Sequence, residues 1–177
     1  MTEATFAAGG LTIRVHVHAE DVSKAMQMTA KQLDAALVET QNGARAEAIR
    51  ELQYATSTWT HQPAFKGTVW HRGSEFTTKV STGDQTFIYV DQGTKPHIIA
   101  PKREGYPLAF QSGYKAKSAP GILRAYKGGA FGSMVYAMHV HHPGTKARKF
   151  MDKVQEKVSK WAGTRLRQLV KAVVAKH

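Results

Sequence analysis

The feature that most constrains the fold is a change of hydrophobic period along the chain. Apolar or small residues recur at Val22, Met26, Thr29, Leu33, Leu37, Ala44, Ala48, Leu52 and Ala55. Steps of three and four keep such residues on one face of an α-helix. Glu20 and Asp21 place negative charge where a helix start favours it. The spacing therefore predicts one long helix over residues 20–57. Asn42-Gly43 is its weak point, although an interior Gly costs only ~1 kcal/mol. A second such stretch, residues 147–175, carries Met151, Val154, Val158, Trp161, Leu166, Leu169 and Val173 as its apolar stripe.

Between and before these stretches the signal is β. Leu11, Ile13, Val15 and Val17 alternate with Thr12, Arg14, His16 and His18, the pattern of a half-buried strand. Residues 1–10 read as a flexible N-terminal arm. Val69–His71, Phe76–Thr82 and Thr86–Asp91 read as short strands separated by Arg72-Gly73-Ser74 and Gly83-Asp84 turns. Leu108–Gln111 and Met134–His141 are further candidates. Gly113–Ser133, with Pro120 and Gly128-Gly129, reads as a long variable loop. The expected fold is α+β: an N-terminal strand, a long helix, an antiparallel β meander and a C-terminal amphipathic helix, with the helices on one side of the sheet. A chain of 177 residues suggests one domain, here 11–177.

Composition narrows the function. There is no cysteine, which removes disulfides and thiolate chemistry. Mean hydropathy is −0.39, and no apolar run approaches 18 residues, so no membrane span is expected. The first residues, MTEATFAAGG, carry no secretory-signal pattern. The net charge of +12 is unevenly spread. Residues 1–94 hold 8 Lys/Arg against 10 Asp/Glu, and residues 95–177 hold 17 against 3. A basic half of this kind suits a polyanion or an acidic protein surface.

No catalytic signature is present: no Walker A loop, no G-x-S-x-G elbow and no H-E-x-x-H helix. Gly128–Gly132 is glycine-rich but lacks the Lys-Ser/Thr pair of a phosphate loop. His139 and His141 are two apart on an expected strand, with His142 beside them. His16 and His18 repeat that spacing, and His97 follows Pro96. Two such strands could present imidazoles to Zn²⁺ or Fe²⁺. With few carboxylates nearby, the plainer reading is surface histidines, and no metal, cofactor or catalytic residue is expected. Lys149, Lys153, Lys157, Lys160, Arg167 and Lys171 fall within about 80° of one another on the polar face of the last helix. A solvated helix face usually mixes signs. This stripe reads as unmixed, with Asp152 and Glu156 at its edge, and suits a phosphate backbone or an acidic partner. No aromatic residues interleave with it, so base recognition is not expected.

Two segments stand out, Tyr89–Lys102 and His141–Met151. Each sets Gly-Thr-Lys beside a Pro/His pair: Gly93-Thr94-Lys95-Pro96-His97 and His142-Pro143-Gly144-Thr145-Lys146. Gly permits unusual φ, Pro fixes it, and Thr bonds locally, so both are stiff turns. Thr145 also reads as an N-cap for the last helix. Here the chain resembles the tail-completion, or head–tail joining (neck), proteins of long-tailed bacteriophages, similar to the lambda minor tail protein Z group. Their pattern Y-V-x-x-G-T-x-P-H-x-I-x-P-K, followed by H-P-G-T-x-A-R-x-F and a terminal helix, is met by Tyr89–Lys102 and His142–Phe150, and the Trp59–Phe65 segment is also similar.

The resemblance implies a non-enzymatic structural virion protein, assembled in the host bacterial cytoplasm. It would form a homo-oligomeric ring, a hexamer, between the tail tube or tail terminator and the head connector, with genomic DNA in the channel. It further implies docking turns at Gly93, Thr94, Lys95, Pro96, His97, Lys102, His142, Pro143, Gly144, Thr145, Lys146 and Arg148. The lysine stripe would then face DNA or an acidic neighbour. The alternative is a sequence-independent DNA-binding protein acting through its basic C-terminal half.

Overall fold

The computed structural model describes residues 6–7, 10–15, 30–72 and 75–175, the first two stretches as backbone only. It is mixed α and β, with three helices and small antiparallel sheets among the described residues. In chain order the elements are β1 (Phe6–Ala7), β2 (Gly10–Val15), α1 (Ala30–Thr56), β3 (Lys66–Arg72), β4 (Glu75–Ser81) and α2 (Gln85–Gln92). They continue with β5 (His97–Ile99), β6 (Leu108–Lys115), β7 (Gly129–Ala137), β8 (Val140–His142) and α3 (Phe150–Val174). The strands do not make one meander. They divide into a four-stranded sheet ordered β1-β2-β4-β3 and two ribbons, β5-β8 and β6-β7. The described residues also group into two compact units where the length suggests one domain.

The first unit comprises residues up to Leu52, Ala64–Gly83 and Met151 onward. Its sheet register pairs Leu11, Ile13 and Val15 with Val80, Thr78 and Phe76 on β4, so the alternating positions of β2 line up with buried positions of its neighbour. Phe6–Ala7, expected as part of a loose arm, pair with Gly10 and Leu11. Val17 and residues 20–29 of the expected helix lie outside the described residues.

On α1 the buried face is Ala36, Leu37, Ala44, Ala48 and Leu52, and on α3 it is Met151, Val154, Val158, Ala162, Leu166 and Val170. The helices touch at Glu39 with Arg165, Gly43 with Trp161 and Glu51 with Lys157. Partner numbers fall on α3 as they rise on α1, so the two run antiparallel. Asn42-Gly43 does not break α1. Gly43 is where the Trp161 ring lies against the helix, in space that a Cβ would occupy. Thr40 and Gln41, polar and outside the apolar stripe, are buried too. The Thr40 hydroxyl donates to the Ala36 carbonyl at 2.8 Å. Gln41 donates to the Phe76 carbonyl, and its side-chain oxygen accepts from the Thr78 hydroxyl. Buried polar groups persist only when so satisfied.

The second unit comprises Gln53–Pro63 and Asp84–Phe150. Its centre is aromatic. Phe87 and Phe150 stack with centroids 5.9 Å apart, and Trp59 sits 6.3 Å from each. Helix α1 ends here without a glycine. The Gln62 amide donates to the carbonyls of Thr56, Ser57 and Trp59, which satisfies groups a helix C-terminus leaves open.

Three sequence expectations fail in this unit. Thr86–Asp91 is helical, because the Asp84 carboxylate accepts the Phe87 N–H at 2.8 Å as an N-cap and Gly93, at φ 79°, ends the helix. The expected Gly113–Ser133 loop is shorter than the sequence suggests, because both of its ends are ladder. Strands β6 and β7 pair from Leu108↔Ala137 out to Lys115↔Gly129, with an irregularity between Gln111 and Gly113, which leaves residues 116–128 as the connection. Most positions on both strands are exposed, so no alternation marks them. Finally, Met134–His141 is not one strand. It breaks at Met138-His139, so His139 lies in the connection and does not share a strand with His141.

Candidate functional site

The two distinctive Gly-Thr segments are bonded to each other. Thr94 N–H donates to the Thr145 carbonyl at 2.9 Å, and Thr145 N–H donates back to the Thr94 carbonyl at 3.1 Å. The Thr94 hydroxyl oxygen also accepts from Thr145 N–H at 3.0 Å. Beyond this bridge the chains continue as the β5–β8 ribbon, with His97 opposite His142 and their ring centroids 5.0 Å apart. Both glycines are required by the approach. Gly93 at φ 79° faces the Thr145 carbonyl and Ala147 N, and Gly144 at φ 86° faces the Thr94 carbonyl, each in space a Cβ would fill. The two turns match because they form the halves of one clasp. The sequence alone offers no reason to pair them with each other, since each reads equally well as an isolated turn.

Further backbone bonds extend the clasp to α2 and to the connection. Arg148 N–H donates to the Val90 carbonyl and Lys149 N–H to the Asp91 carbonyl, both at 3.0 Å, and the Arg148 carbonyl accepts from Gly121 N–H at 2.8 Å. Thr145 is thereby used as a bridge residue and does not cap α3. The helix begins five residues later at Phe150, directly after Lys149 in the left-handed region at φ 56°. His97 Nδ1 donates to the Lys95 carbonyl, and His142 Nδ1 accepts from Gly144 N–H. Among the described residues no group of three or more His, Cys, Asp or Glu is placed to hold a metal ion, while His16 and His18 lie outside them. Of the remaining expected docking residues, Lys95, Pro96, Lys102, Pro143 and Lys146 are exposed, and Arg148 is half-buried.

The lysine stripe is less open than its sequence suggests. Lys153 and Lys160 both bond Glu156, at 3.2 and 3.0 Å. Those two ammonium groups, Lys160 first, hold the Glu156 carboxyl below its ordinary range. Lys157 reaches Glu51 on α1 at 2.7 Å, and Arg167 Nε donates to the Gly163 carbonyl. Lys171 lies in the last turn of α3, where a cation faces the negative end of the helix dipole. Lys149 precedes the helix and belongs to the second unit. The stripe is therefore a mixed-sign face. Glu156 at the edge of the stripe reaches two of its lysines, and Glu51, 106 positions earlier than Lys157, comes from another helix that local spacing does not reveal.

The second unit also contains a cavity of about 380 Å³ that sequence reasoning missed. Trp59 and Tyr114 supply its aromatic lining, and Thr60, Thr86, Ser118 and Thr145 bring hydroxyls. Lys117 and Arg148 supply positive charge beside the His61 imidazole, with no carboxylate among the lining residues. Lys117 Nζ donates to the Thr60 hydroxyl at 3.1 Å. His61 pairs with Asp84, the same carboxylate that caps α2. Burial works to raise the Asp84 carboxyl, but the Phe87 N–H and His61 outweigh it and hold the group below its ordinary value. Arg148 Nε is buried without a hydrogen-bond partner. These residues are up to 89 positions apart in sequence, so no local spacing announces them. In comparisons with known proteins the chain matches no family model, no curated protein and no solved structure.

Proposed function

We propose that the chain is a structural subunit of a tailed-phage virion, forming a ring at the head–tail junction that completes the tail and joins it to the head connector. The observation that carries this reading is the β6–β7 hairpin. Its two strands hydrogen-bond to no other strand among the described residues. Met134 and Tyr136 lie on one face, 53% and 67% exposed, and Phe131 near the far end is 58% exposed. A lone two-stranded ribbon is marginal in water, and an apolar face of this kind is used when a neighbour covers it. In a ring the neighbour is a second copy of the chain. The four-stranded sheet together with α1 and α3 is the body of each subunit in this reading, and DNA passes through the channel without specific contacts.

The DNA-binding alternative ranks second, because Lys153, Lys157 and Lys160 are already paired with carboxylates. Gold-labelled virions in negative stain are expected to carry label at the head–tail junction. Particles lacking the chain are expected as unjoined heads and tails. Label absent from purified virions would overturn the proposal. Tight, steeply salt-dependent duplex binding by the monomer would favour the alternative.

A further inference from the structure

The cavity beside the clasp is built for a ligand that neither the clasp nor the hairpin explains. Its lining joins an arginine, a lysine and a histidine to four hydroxyl-bearing residues and two aromatic side chains. The arginine is held from its backbone. Arg148 N–H bonds Val90 and its carbonyl receives Gly121 N–H, so the side chain starts from a fixed point. Its Nε is nevertheless buried and unpaired. Arg148 also lines the cavity, where an arginine fork can pair with an anion.

The same lining selects among anions. Arginine forks match phosphate and carboxylate, and Lys117 adds a point charge. The hydroxyls of Thr60, Thr86, Ser118 and Thr145 are suited to phosphate oxygens. Trp59 is held against Phe87 and Phe150, so it offers a rigid face on which a flat group can stack. A volume of about 380 Å³ lies within the range of small-ligand sites and exceeds what an inorganic ion needs. We propose that this cavity binds a nucleoside monophosphate, its phosphate met by Arg148 and Lys117 and its base stacked on Trp59. The moiety can come from a free nucleotide or from the phosphorylated end of a strand. The proposal is independent of the ring reading.

The test is calorimetric titration of the full chain with adenosine 5′-monophosphate, thymidine 5′-monophosphate, the unphosphorylated nucleosides, inorganic phosphate and a short 5′-phosphorylated oligonucleotide. Saturable binding of the monophosphates is expected, with the nucleosides and inorganic phosphate weaker by roughly tenfold or more, the value of one charge-assisted hydrogen bond. Arg148→Gln is expected to weaken binding by a similar factor. Should that variant fail to fold, judged by circular dichroism, Lys117→Gln replaces it, since Lys117 lies in the connection between β6 and β7. An oligonucleotide that binds more tightly than the mononucleotide, and loses affinity with the same variants, assigns the moiety to a strand end. Equal affinity assigns it to the free nucleotide. The proposal is overturned if no monophosphate binds saturably, if inorganic phosphate or a nucleoside binds as well, or if both variants bind like the parent.

Discussion

Asp84 shows how much one short side chain can organise. It accepts the Phe87 N–H at the start of α2 and pairs with His61, which lines the cavity. Asp84→Ala is expected to cost about 1 kcal/mol, the usual value of a lost N-cap, read from urea unfolding at neutral pH. Its pH dependence follows from the depressed carboxyl. The unfolded chain takes up this proton more readily than the folded one, so the contribution is complete above the ordinary value of 3.8. It disappears as pH falls through the lower, folded value. The acid side of the stability profile should therefore be flatter in Asp84→Ala than in the parent. Glycines make a second test. Gly144→Ala forces a Cβ against the Thr94 carbonyl at φ 86° and is expected to lower stability by about 1–3 kcal/mol or more. Gly83→Ala, with open space around it and no positive φ, should leave the melting temperature nearly unchanged. At this scale the sequence was informative about residue type and silent about partner. Gly93, Thr94, Gly144 and Thr145 could be singled out, but not that they bond one another across 51 positions.

Elements were legible where burial imposes a period. Helices α1 and α3 and strand β4 emerge from apolar spacing because one face of each packs on a core, and β2 and β3 are read from the same kind of pattern on either side of β4. Helix α2 was misread as a strand because eight residues span barely two turns and bury only Phe87. The outer parts of β6 and β7 were misread as loop because glycine and exposure erase any alternation. Gly43 illustrates the limit of propensity arguments. Alanine is the better helix former by ~1 kcal/mol, yet Gly43→Ala is expected to destabilise the protein by about 1–3 kcal/mol, since its methyl would occupy the Trp161 ring. Thermal unfolding of Gly43→Ala beside Gly163→Ala separates the two effects, because Gly163 on α3 meets only the far end of Arg167. Gly163→Ala should be neutral or stabilising.

For the whole molecule, the opposing considerations are charge and exposed apolar surface. A net charge of +12 resists self-association at low salt, whereas Phe131, Met134 and Tyr136 favour it. The chain is therefore expected to sediment as a smaller species at low ionic strength and as a larger one at moderate salt, where the repulsion is screened. Met134→Ser with Tyr136→Ser should abolish the larger species in analytical ultracentrifugation while leaving the melting temperature of the monomer nearly unchanged. A larger species that survives both substitutions would place the contact elsewhere. The asymmetry of charge between the two halves was plain in the sequence, but its local neutralisation at Glu51 and Glu156 was not.

The Thr94–Thr145 bridge is made mainly by main-chain atoms, and the side chains beside it, those of Lys95, Pro96, Pro143 and Lys146, belong to exposed residues. Such a frame tolerates exchange of its outward side chains. A lineage could rewrite what this corner greets, from acidic to basic or polar to greasy, while the geometry beneath stayed constant.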